Sequence, residues 1–260
     1  MDYDIIIIGA GVAGMTAAIY VARANKSVLI LEEKVPGGQI VNALSISNWP
    51  AELGISGAEL SEKIYHQANN LGAKIVYERV ENVSETYSDS GKKKFLVKTD
   101  EREYSSGAII IATGTEPRKL SKKQMKEVGE RPISYCATCD GAIYKDKPVA
   151  VIGGGDTAKH EVRYLSNIAS KVYQVYRDDP IPDDVVAVFV AVGRVPNTDV
   201  FAGLVERDEN GYIKAGEGCK TSHEGVFVAG DCRTKGLRQL VTASSDGAMA
   251  GIMAMQYLSE

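Results

Sequence analysis

The stretch "DIIIIGAGVAGMTAAIYVARANKSVLILEE", residues 4–33, decides the fold of this chain. It reads as a short apolar strand, a glycine-rich turn, a helix and a second apolar strand that ends at Glu32. Gly9, Gly11 and Gly14 have the GxGxxG spacing, which permits a tight turn, a close approach of backbone to a pyrophosphate, and close helix–strand packing. The N–H groups that begin the helix attract phosphate, and an acid after the second strand can bind ribose hydroxyls. The stretch therefore predicts a dinucleotide-binding βαβ unit.

The same pattern returns in "KPVAVIGGGDTAKHEVRYLSNIASKVYQVYR", residues 147–177. Gly153, Gly155 and Ala158 follow an apolar strand as GxGxxA, and a helix through about Ser166 and a further strand complete the unit. Two such units in one chain suggest two cofactors that exchange hydride. A chain with two copies, only one of them occupied, remains an alternative because a fold does not by itself establish a function.

The other segments continue this alternation of strands and helices. The polar helix "SGAELSEKIYHQANNLG" has apolar residues at helical spacing, and strand-like segments follow it. In the last third, the Asn210–Gly211 pair predicts a hairpin, and a final helix is expected from about Ser244. The pattern predicts an α/β protein.

Charge and hydropathy exclude two classes of function. The formal net charge of −4 argues against a nucleic-acid surface, which needs a basic patch. The apolar run "VVAVFVAV", residues 185–192, is far shorter than the ~20 residues of a membrane span. The N-terminal "MDYDIIIIGAG" has no basic segment before its first strand, so a cytoplasmic location is expected.

The segment "SYCATCDGA", residues 134–142, contains a CxxC pair, Cys136 and Cys139. Zinc needs four ligands, and the other cysteines, Cys219 and Cys232, form no second pair. No metal site is therefore predicted. In a reducing compartment a CxxC pair is more often catalytic than a permanent crosslink, which favours a redox pair.

Nearly end to end, the chain resembles the low-molecular-weight, flavin-dependent thioredoxin reductases. The motifs that carry the resemblance are GAGVAG (9–14), GGQIVN (37–42), SNWP (47–50), ATG (112–114), CATCDG (136–141), GGGDTA (153–158), AVGRVPNT (191–198), AGD (229–231) and RQLVTASSDG (238–247). The combination is specific because the CxxC pair stands just before the second glycine motif. The resemblance implies an α/β fold with two Rossmann-like (three-layer ββα) dinucleotide-binding domains, the second inserted into the first and truncated. The expected FAD domain comprises 1–116 and 187–260, and the CxxC and pyridine-nucleotide domain comprises 117–186.

The resemblance also implies the residues of each site. Those expected to bind FAD are Gly9, Gly11, Val12, Ala13, Gly14, Glu32, Gly38, Gln39, Asn48, Val80, Ala112, Thr113, Gly114, Asp231, Arg238, Gln239 and Leu240. Those expected to bind NADPH, weakly, are Gly153, Gly155, Asp156, Thr157, Ala158 and Arg177. The resemblance makes Cys139 the thiol that faces the flavin, Cys136 the thiol that attacks the substrate disulfide, and Asp140 the acid that transfers a proton. A surface ion pair for Arg238 and a turn or helix cap for Asp140 remain alternatives.

The second domain departs from the family pattern. After the strand of residues 171–176, "PIPDD" runs directly into "VVAVFVAVG", where a further βαβ unit of ~30 residues is expected. The family's arginines for the 2′-phosphate of NADPH are matched only by Arg177, which Asp178 and Asp179 follow. If this sequence is the full chain, we expect weak nicotinamide binding with little or no preference for NADPH over NADH. A natural short form, an engineered deletion and a segment missing from this sequence all remain open.

These expectations define a function and two alternatives. The chain is expected to pass electrons from NADPH through FAD and the Cys136–Cys139 pair to a thioredoxin-like protein disulfide, as a homodimer. The short second domain also permits a ferredoxin-linked reductase that does not use NADPH. A flavin redox module without turnover is the third hypothesis.

Overall fold

A computed structural model describes residues 2–176 and 179–260 of the chain. These residues form two compact units: the first unit runs to Thr115 and resumes at Pro196, and the inserted unit is Glu116–Val195. The second domain expected from sequence ends at residue 186, nine residues before the end of this inserted unit. The strand of residues 187–190 hydrogen-bonds to strands of the inserted unit, which is why the segment does not belong to the first unit.

The first unit is built on a sheet that is mostly parallel. Its strands are β1 (Asp2–Ile8), β2 (Val28–Glu32), β3 (Lys74–Tyr77), β4 (Val80–Tyr87), β5 (Lys93–Thr99), β6 (Glu103–Ile111) and, in the C-terminal segment, β13 (Val226–Val228). Its helices are α1 (Val12–Arg23), α2 (Gly57–Asn70) and α6 (Leu240–Tyr257). The strand order is β3-β2-β1-β6-β5-β4, and β13 pairs with β6.

Three layers follow from this pairing. β1, β2, β3, β6 and β13 pair in parallel, whereas β4 and β5 form an antiparallel extension from the first half of β6. One face of the sheet packs against α1, α2 and α6, and the other packs against a second core that includes Val83, Phe95 and Val97. The expected ββα arrangement of the first domain is confirmed.

Small residues let α1 and α6 pack closely. A Cβ at Gly247 would lie 2.2 Å from the carbonyl oxygen of Ala13, and one at Gly251 would lie 3.1 Å from that of Ala17. Any larger side chain at Gly247 would push the two helices apart. The final helix begins at Leu240, four residues before the predicted Ser244, since Gln239 and Thr242 form a capping box.

The inserted unit has a four-stranded sheet of order β10-β9-β11-β8. Its elements are α3 (Lys122–Val128), β8 (Ile133–Ser134), α4 (Ala137–Asp140), β9 (Pro148–Ile152), α5 (Asp156–Leu165), β10 (Lys171–Val175) and β11 (Ala187–Val190). All the pairings are parallel. β9, α5 and β10 form the second βαβ unit that the sequence predicts, and the described residues between β10 and β11 form no further helix.

Two short strands stand where the chain passes from one unit to the other. β7 (Thr115–Pro117) and β12 (Arg194–Pro196) pair with each other. The Asn210–Gly211 turn is also present: the N–H of Gly211 bonds to the carbonyl of Asp208 at 3.0 Å, and a single bridge joins Arg207 and Ile213. The predicted hairpin is thus a tight turn with one bridge.

Candidate cofactor sites and redox pair

The carboxyl ends of four parallel strands meet at one edge of the first unit's sheet. Ile8 is in register with Leu31 on one side and with Ile111 on the other, and Ile111 is in register with Val228. The next residues are therefore the predicted site residues Gly9, Glu32 and Ala112. Ligands of open parallel sheets bind outside this edge, so the strand register brings the predicted segments to one place.

The three glycines of the first motif have different tasks. Gly9 has a φ of +105°, and a Cβ there would lie 2.5 Å from the carbonyl oxygen of Ala112. A Cβ at Gly14 would lie 1.9 Å from the carbonyl oxygen of Gly9, so this position packs helix on strand. No atom lies within 4 Å of a Cβ built on Gly11. The space in front of α1 is thus open at the position where a pyrophosphate would approach.

The start of α1 suits an anion. Its N-cap is Gly11, which makes no side-chain cap, and its first turn contains no acidic residue. The first N–H groups of the helix and its positive end therefore point toward the open space.

Glu32 is held in place beside this space. Its Oε2 accepts the N–H of Ala10 at 2.7 Å, and its Oε1 accepts the N–H of Lys34 at 2.8 Å. Each carboxylate oxygen has a second lone pair, so both can still accept a hydroxyl hydrogen. This geometry fits the predicted role of Glu32 at a ribose.

Further predicted residues reach the same edge. Gly37 pairs with Gly11, and Gly38 lies next to it, with its Cβ position 3.6 Å from the Cα of Gly11. Gln39 donates a side-chain hydrogen bond to the carbonyl of Thr115. Thr113 donates to the carbonyl of Asn197 at 2.6 Å and precedes Gly114, which has a φ of +65°. Val12 and Ala13 are buried in the first turn of α1, and Val80 begins β4.

The C-terminal segment supplies the remaining predicted residues. Gly230 and Asp231 lie in a short 3₁₀ turn, and a Cβ on Gly230 would lie 2.9 Å from the Cβ of Ala13. Arg238 donates to the carbonyl of Asp231 at 3.2 Å and lies over the ring of Tyr212 at 4.2 Å. These contacts tie Arg238 to the turn, in place of the surface ion pair considered from sequence. The side chains of Asn48 and Gln239 bond to each other at 3.1 Å, and Leu240 begins α6.

Sequence analysis missed a buried charged cluster that supports this turn. The carboxylate of Asp246, on α6, accepts hydrogen bonds from Arg233 at 2.8 and 3.0 Å, from Lys235 at 2.7 Å and from the N–H of Gly230 at 3.0 Å. All three side chains are at most 10% exposed. Burial alone would raise the pKa of Asp246, but the hydrogen bonds from Arg233 and Lys235 lower it overall. A single acid in an otherwise uncharged helix was the signal that could have revealed it.

The second glycine motif repeats the geometry of the first. Gly153 has a φ of +152°, and a Cβ there would lie 2.4 Å from the carbonyl oxygen of Ala191 and 3.0 Å from the Cβ of Ala158. Space around a Cβ on Gly155 is again open to 4 Å.

Two of the predicted nucleotide-binding residues are exposed at the start of α5, and one lies outside the described ranges. Asp156 and Thr157 are exposed in the first turn of α5, where Asp156 pairs with Lys159 at 3.0 Å. The predicted Arg177, and Asp178 after it, lie outside the described residues.

The CxxC pair is a disulfide whose surroundings hold Asp140 beside it. Cys136 and Cys139 have Cα atoms 5.3 Å apart, and α4 begins directly after Cys136. Ser134, which is buried, donates to Oδ2 of Asp140 at 2.6 Å and accepts the N–H of Cys136 at 3.1 Å. The side chain of Asp140 caps neither α4 nor the 3₁₀ turn after it. The Ser134 contact therefore favours a place for Asp140 in the redox site over the capping alternative.

The other two cysteines are buried thiols. Cys219 donates to the carbonyl of Asp246 at 3.6 Å, and burial raises its pKa to about 11. Cys232 is also buried, and burial raises its pKa as well. Within residues 2–176 and 179–260, no group of three or more His, Cys, Asp or Glu side chains could hold a metal ion. No helix in the same ranges is long and apolar enough to cross a membrane.

The comparison with known families matches almost the whole chain. The pyridine nucleotide-disulphide oxidoreductase family matches residues 3–186 and 183–247. The chain belongs to this family. The two matched stretches meet at residues 183–186, where sequence analysis places the shortened join.

Individual members of the family are similar over their full length. The thioredoxin reductase of Bacillus subtilis is 37% identical over 306 residues, covering 99% of this chain and 95% of that protein. The crystal structure of thioredoxin reductase from Streptococcus pyogenes superposes with a TM-score of 0.87 at 33% identity, covering 99% and 98% of the two chains. The ferredoxin-flavin thioredoxin reductase of Clostridium acetobutylicum gives 0.62 at 28% identity, with coverages of 100% and 98%.

The alignment also measures how much the chain lacks. It spans 306 positions, whereas this chain has 260 residues, so at least 46 aligned positions of the Bacillus protein have no counterpart here. A gap of this size corresponds to one further βαβ unit. It agrees with the inserted unit, where no other helix separates β10 from β11 in the part of the chain that the structure describes.

The cofactors of this family, FAD and NADPH, fit the described residues. Each glycine motif has at least one glycine whose added Cβ would clash with backbone, and one that leaves open space before a helix N-terminus. In the first motif, the residues that would hold FAD are Gly11, Glu32 and those of the turn at Asp231. In the second, Gly155 and the start of α5 would hold the pyrophosphate of a nicotinamide dinucleotide.

Proposed function

We propose that this chain is a thioredoxin-disulfide reductase that uses NADPH, FAD and the Cys136–Cys139 disulfide to reduce a thioredoxin-like protein. The observation that carries the proposal is the CxxC disulfide, with Asp140 held beside it, in a chain with two dinucleotide motifs. A disulfide in such a position is a natural acceptor of electrons, and its reduced form can exchange with a disulfide of another protein.

The chain's own residues account for the exchange chemistry. The flavin, when bound, supplies an electron pair to the disulfide. Cys136 then attacks the substrate disulfide, Cys139 displaces the mixed disulfide, and one substrate thiol leaves at each step. Asp140 holds the proton that a departing thiolate needs, and Ser134 keeps its carboxyl group oriented through the 2.6 Å hydrogen bond.

A thioredoxin-reduction assay tests the function. With NADPH and an oxidised thioredoxin, the purified protein turns over steadily, and Cys136→Ser or Cys139→Ser lowers the rate at least about a hundredfold because no disulfide can form. Cys219→Ala is the matched control, since that thiol is buried and its pKa is raised to about 11. A protein without bound flavin, or cysteine variants with full activity, would contradict the proposal.

The electron donor needs a test of its own. The missing βαβ unit and the acidic Asp178–Asp179 pair favour a second candidate, a reductase that accepts electrons from ferredoxin. Rapid mixing of oxidised protein with NADPH, NADH or reduced ferredoxin distinguishes the donors by the rate of flavin bleaching. Bleaching by ferredoxin alone selects the second candidate, and a hundredfold preference for NADPH over NADH contradicts the weak site expected from sequence. A flavin module without turnover is eliminated by steady thioredoxin reduction with any of these donors.

The assembly and location are also proposals. Leu44 and Leu53 are each 91% exposed in the first unit, and such apolar side chains favour a protein contact, here a homodimer. Static light scattering measures the molar mass in solution: twice the mass of one chain supports the homodimer, and the mass of one chain contradicts it. Two unpaired thiols, Cys219 and Cys232, suit the reducing cytoplasm.

A further inference from the structure

A second carboxyl group lies against the CxxC segment, on an element that the proposed mechanism does not use. Glu161 is in the middle of α5, and its carboxylate lies against the backbone N–H of Ala137, which stands between the two cysteines. Its Oε2 is buried and has no hydrogen-bond partner among residues 2–176 and 179–260. Ala137 packs in one buried cluster with Ala158 and Leu165 of α5, so this helix lies against the CxxC segment.

The surroundings of Glu161 disfavour its charge. Burial raises its pKa, and the N–H of Ala137 and the positive charge of Arg194 only partly offset that effect. Leaving a buried oxygen without a partner costs free energy, which a stability role alone does not explain. The raised pKa brings this carboxyl group closer to the range in which cysteine thiols titrate, so the two kinds of group can influence each other's protonation.

The elements packed around Glu161 carry other titratable and charged groups. The titratable and charged groups on α4, on the turn after it, on β12 and on α5 itself are Asp140, Tyr144, Arg194, Asp156, Lys159, His160, Arg163 and Tyr164. Asp140 is engaged by Ser134, and Asp156 and Lys159 form an exposed pair with each other. Unlike these groups, Glu161 has a buried oxygen that lacks a partner in the described ranges.

On the basis of the function proposed above, we propose that Glu161 is a positioning residue of the redox pair: it holds the Ala137 amide and, through its charge, sets the proton affinity of the Cys136 and Cys139 thiols. Reduction breaks the S–S bond, adds two electrons and, when both sulfurs are protonated, takes up two protons. A negative carboxylate beside the pair disfavours a thiolate, so it keeps the last proton on the pair. By reciprocity a thiolate favours the protonated form of Glu161, and the three groups titrate as a coupled set.

The experiment measures the thiols directly and does not depend on thioredoxin, nicotinamide or turnover. Protein reduced with dithiothreitol and then freed of it is alkylated with iodoacetamide at a series of pH values, and each cysteine peptide is quantified by mass spectrometry. Glu161→Gln keeps the size and an acceptor for Ala137 but removes the charge, so the pKa of the more reactive thiol falls by about one unit. Glu130→Gln, an exposed carboxylate of the same unit, leaves that pKa unchanged.

Two outcomes would overturn the proposal. One is an unchanged thiol pKa in Glu161→Gln, even if its melting temperature falls, because that result leaves only a structural role. The other outcome applies if Glu161→Gln does not fold, and it uses the Asp140→Asn variant, in which Glu161 is kept and the Asp140 carboxylate is removed. The alkylation rate of this variant must still show two inflections with pH, one from the thiol and one from the coupled carboxyl group. A single inflection contradicts a second carboxyl group coupled to the thiols. Absence of thioredoxin turnover with the predicted thiol shift would refute the proposed function and leave this inference intact.

Discussion

At the scale of single residues, Asp246 joins the C-terminal helix to the turn that carries Gly230 and Asp231. Its carboxylate is the shared partner of Arg233, Lys235 and one backbone N–H. Removing the Asp246 carboxylate would leave the charges of Arg233 and Lys235 unpaired in a site with little water, which costs free energy of folding. The turn at Gly230 depends on this arrangement, and with it the position of the AGD motif.

Asp246→Asn is therefore expected to lower the free energy of unfolding by about 3–5 kcal/mol. The pKa of Asp246 is lowered from its ordinary 3.8, so its stabilisation is complete above that value and is lost as pH falls through the lower folded pKa. Urea unfolding followed by circular dichroism, repeated between neutral pH and pH ~3, measures both effects. The variant should lack this component of acid sensitivity.

Glu217→Gln is the matched control for this experiment, since Glu217 is exposed. It should behave like the unmodified protein at every pH. If Asp246→Asn were as stable as the control, Arg233 and Lys235 would have to find other partners, and the cluster would not hold the turn.

At the scale of elements, the glycine motif before α1 separates packing from binding. The Cβ position of Gly14 overlaps the carbonyl oxygen of Gly9, whereas that of Gly11 faces open space. Both are glycines of one motif, three positions apart in the sequence, yet only Gly14 is required by the protein's own atoms. We propose that the other leaves room for a ligand that approaches the backbone.

The two substitutions to alanine should accordingly fail in different ways. Gly14→Ala forces α1 away from β1 and should cost about 3 kcal/mol or more of stability, seen in the thermal unfolding of the apoprotein. Gly11→Ala should unfold like the unmodified apoprotein but bind FAD at least about tenfold more weakly, as measured by titration of flavin fluorescence. Equal FAD affinity in Gly11→Ala and the unmodified protein would mean that the pyrophosphate does not approach this residue.

Element boundaries show where local pattern is a sufficient guide. The continuous apolar runs of β1, β6 and β9 are predicted from sequence because strands buried on both faces need no polar alternation. β11 has the same kind of run, but its sheet is assigned wrongly from sequence. Its composition suits either parallel sheet, and the choice is made by hydrogen bonds to β9 and β8.

At the scale of the whole molecule, the first unit is assembled from two distant segments of chain. β13 and α6 follow the inserted unit, yet β13 pairs with β6 and α6 packs against α1. The ends of the insertion are close, because β7 pairs with β12 and the N–H of Asn197 bonds to the carbonyl of Gly114 at 3.1 Å. A unit whose interruption begins and ends at adjacent strands does not need the inserted chain to close its core.

Replacing residues 116–195 with a short Gly/Ser linker should leave a folded protein that binds FAD. Its sheet, helices and first glycine motif all lie outside the excised segment. Bound flavin absorbance and a cooperative thermal transition are the measurements, and disulfide reductase activity should be absent because Cys136 and Cys139 are removed. The full chain carrying Cys139→Ser, also inactive but with the inserted unit present, is the control for flavin content. An excised protein that aggregates without flavin would show that the first unit requires the insertion.

The sequence by itself determines the local units of this protein: both glycine turns, the helices that follow them, the CxxC pair and the shortened join. Those depend on the conformational freedom of glycine, on apolar runs and on residue spacing, which are properties of short segments. The tertiary structure decides which distant residues meet. Strand register brings Glu32, Ala112 and Gly230 to one edge, the α6–turn contact buries Asp246 with two cations, and the packing of α5 places Glu161 at Ala137. Such contacts join residues up to more than a hundred positions apart, so no local pattern of charge or hydropathy contains them.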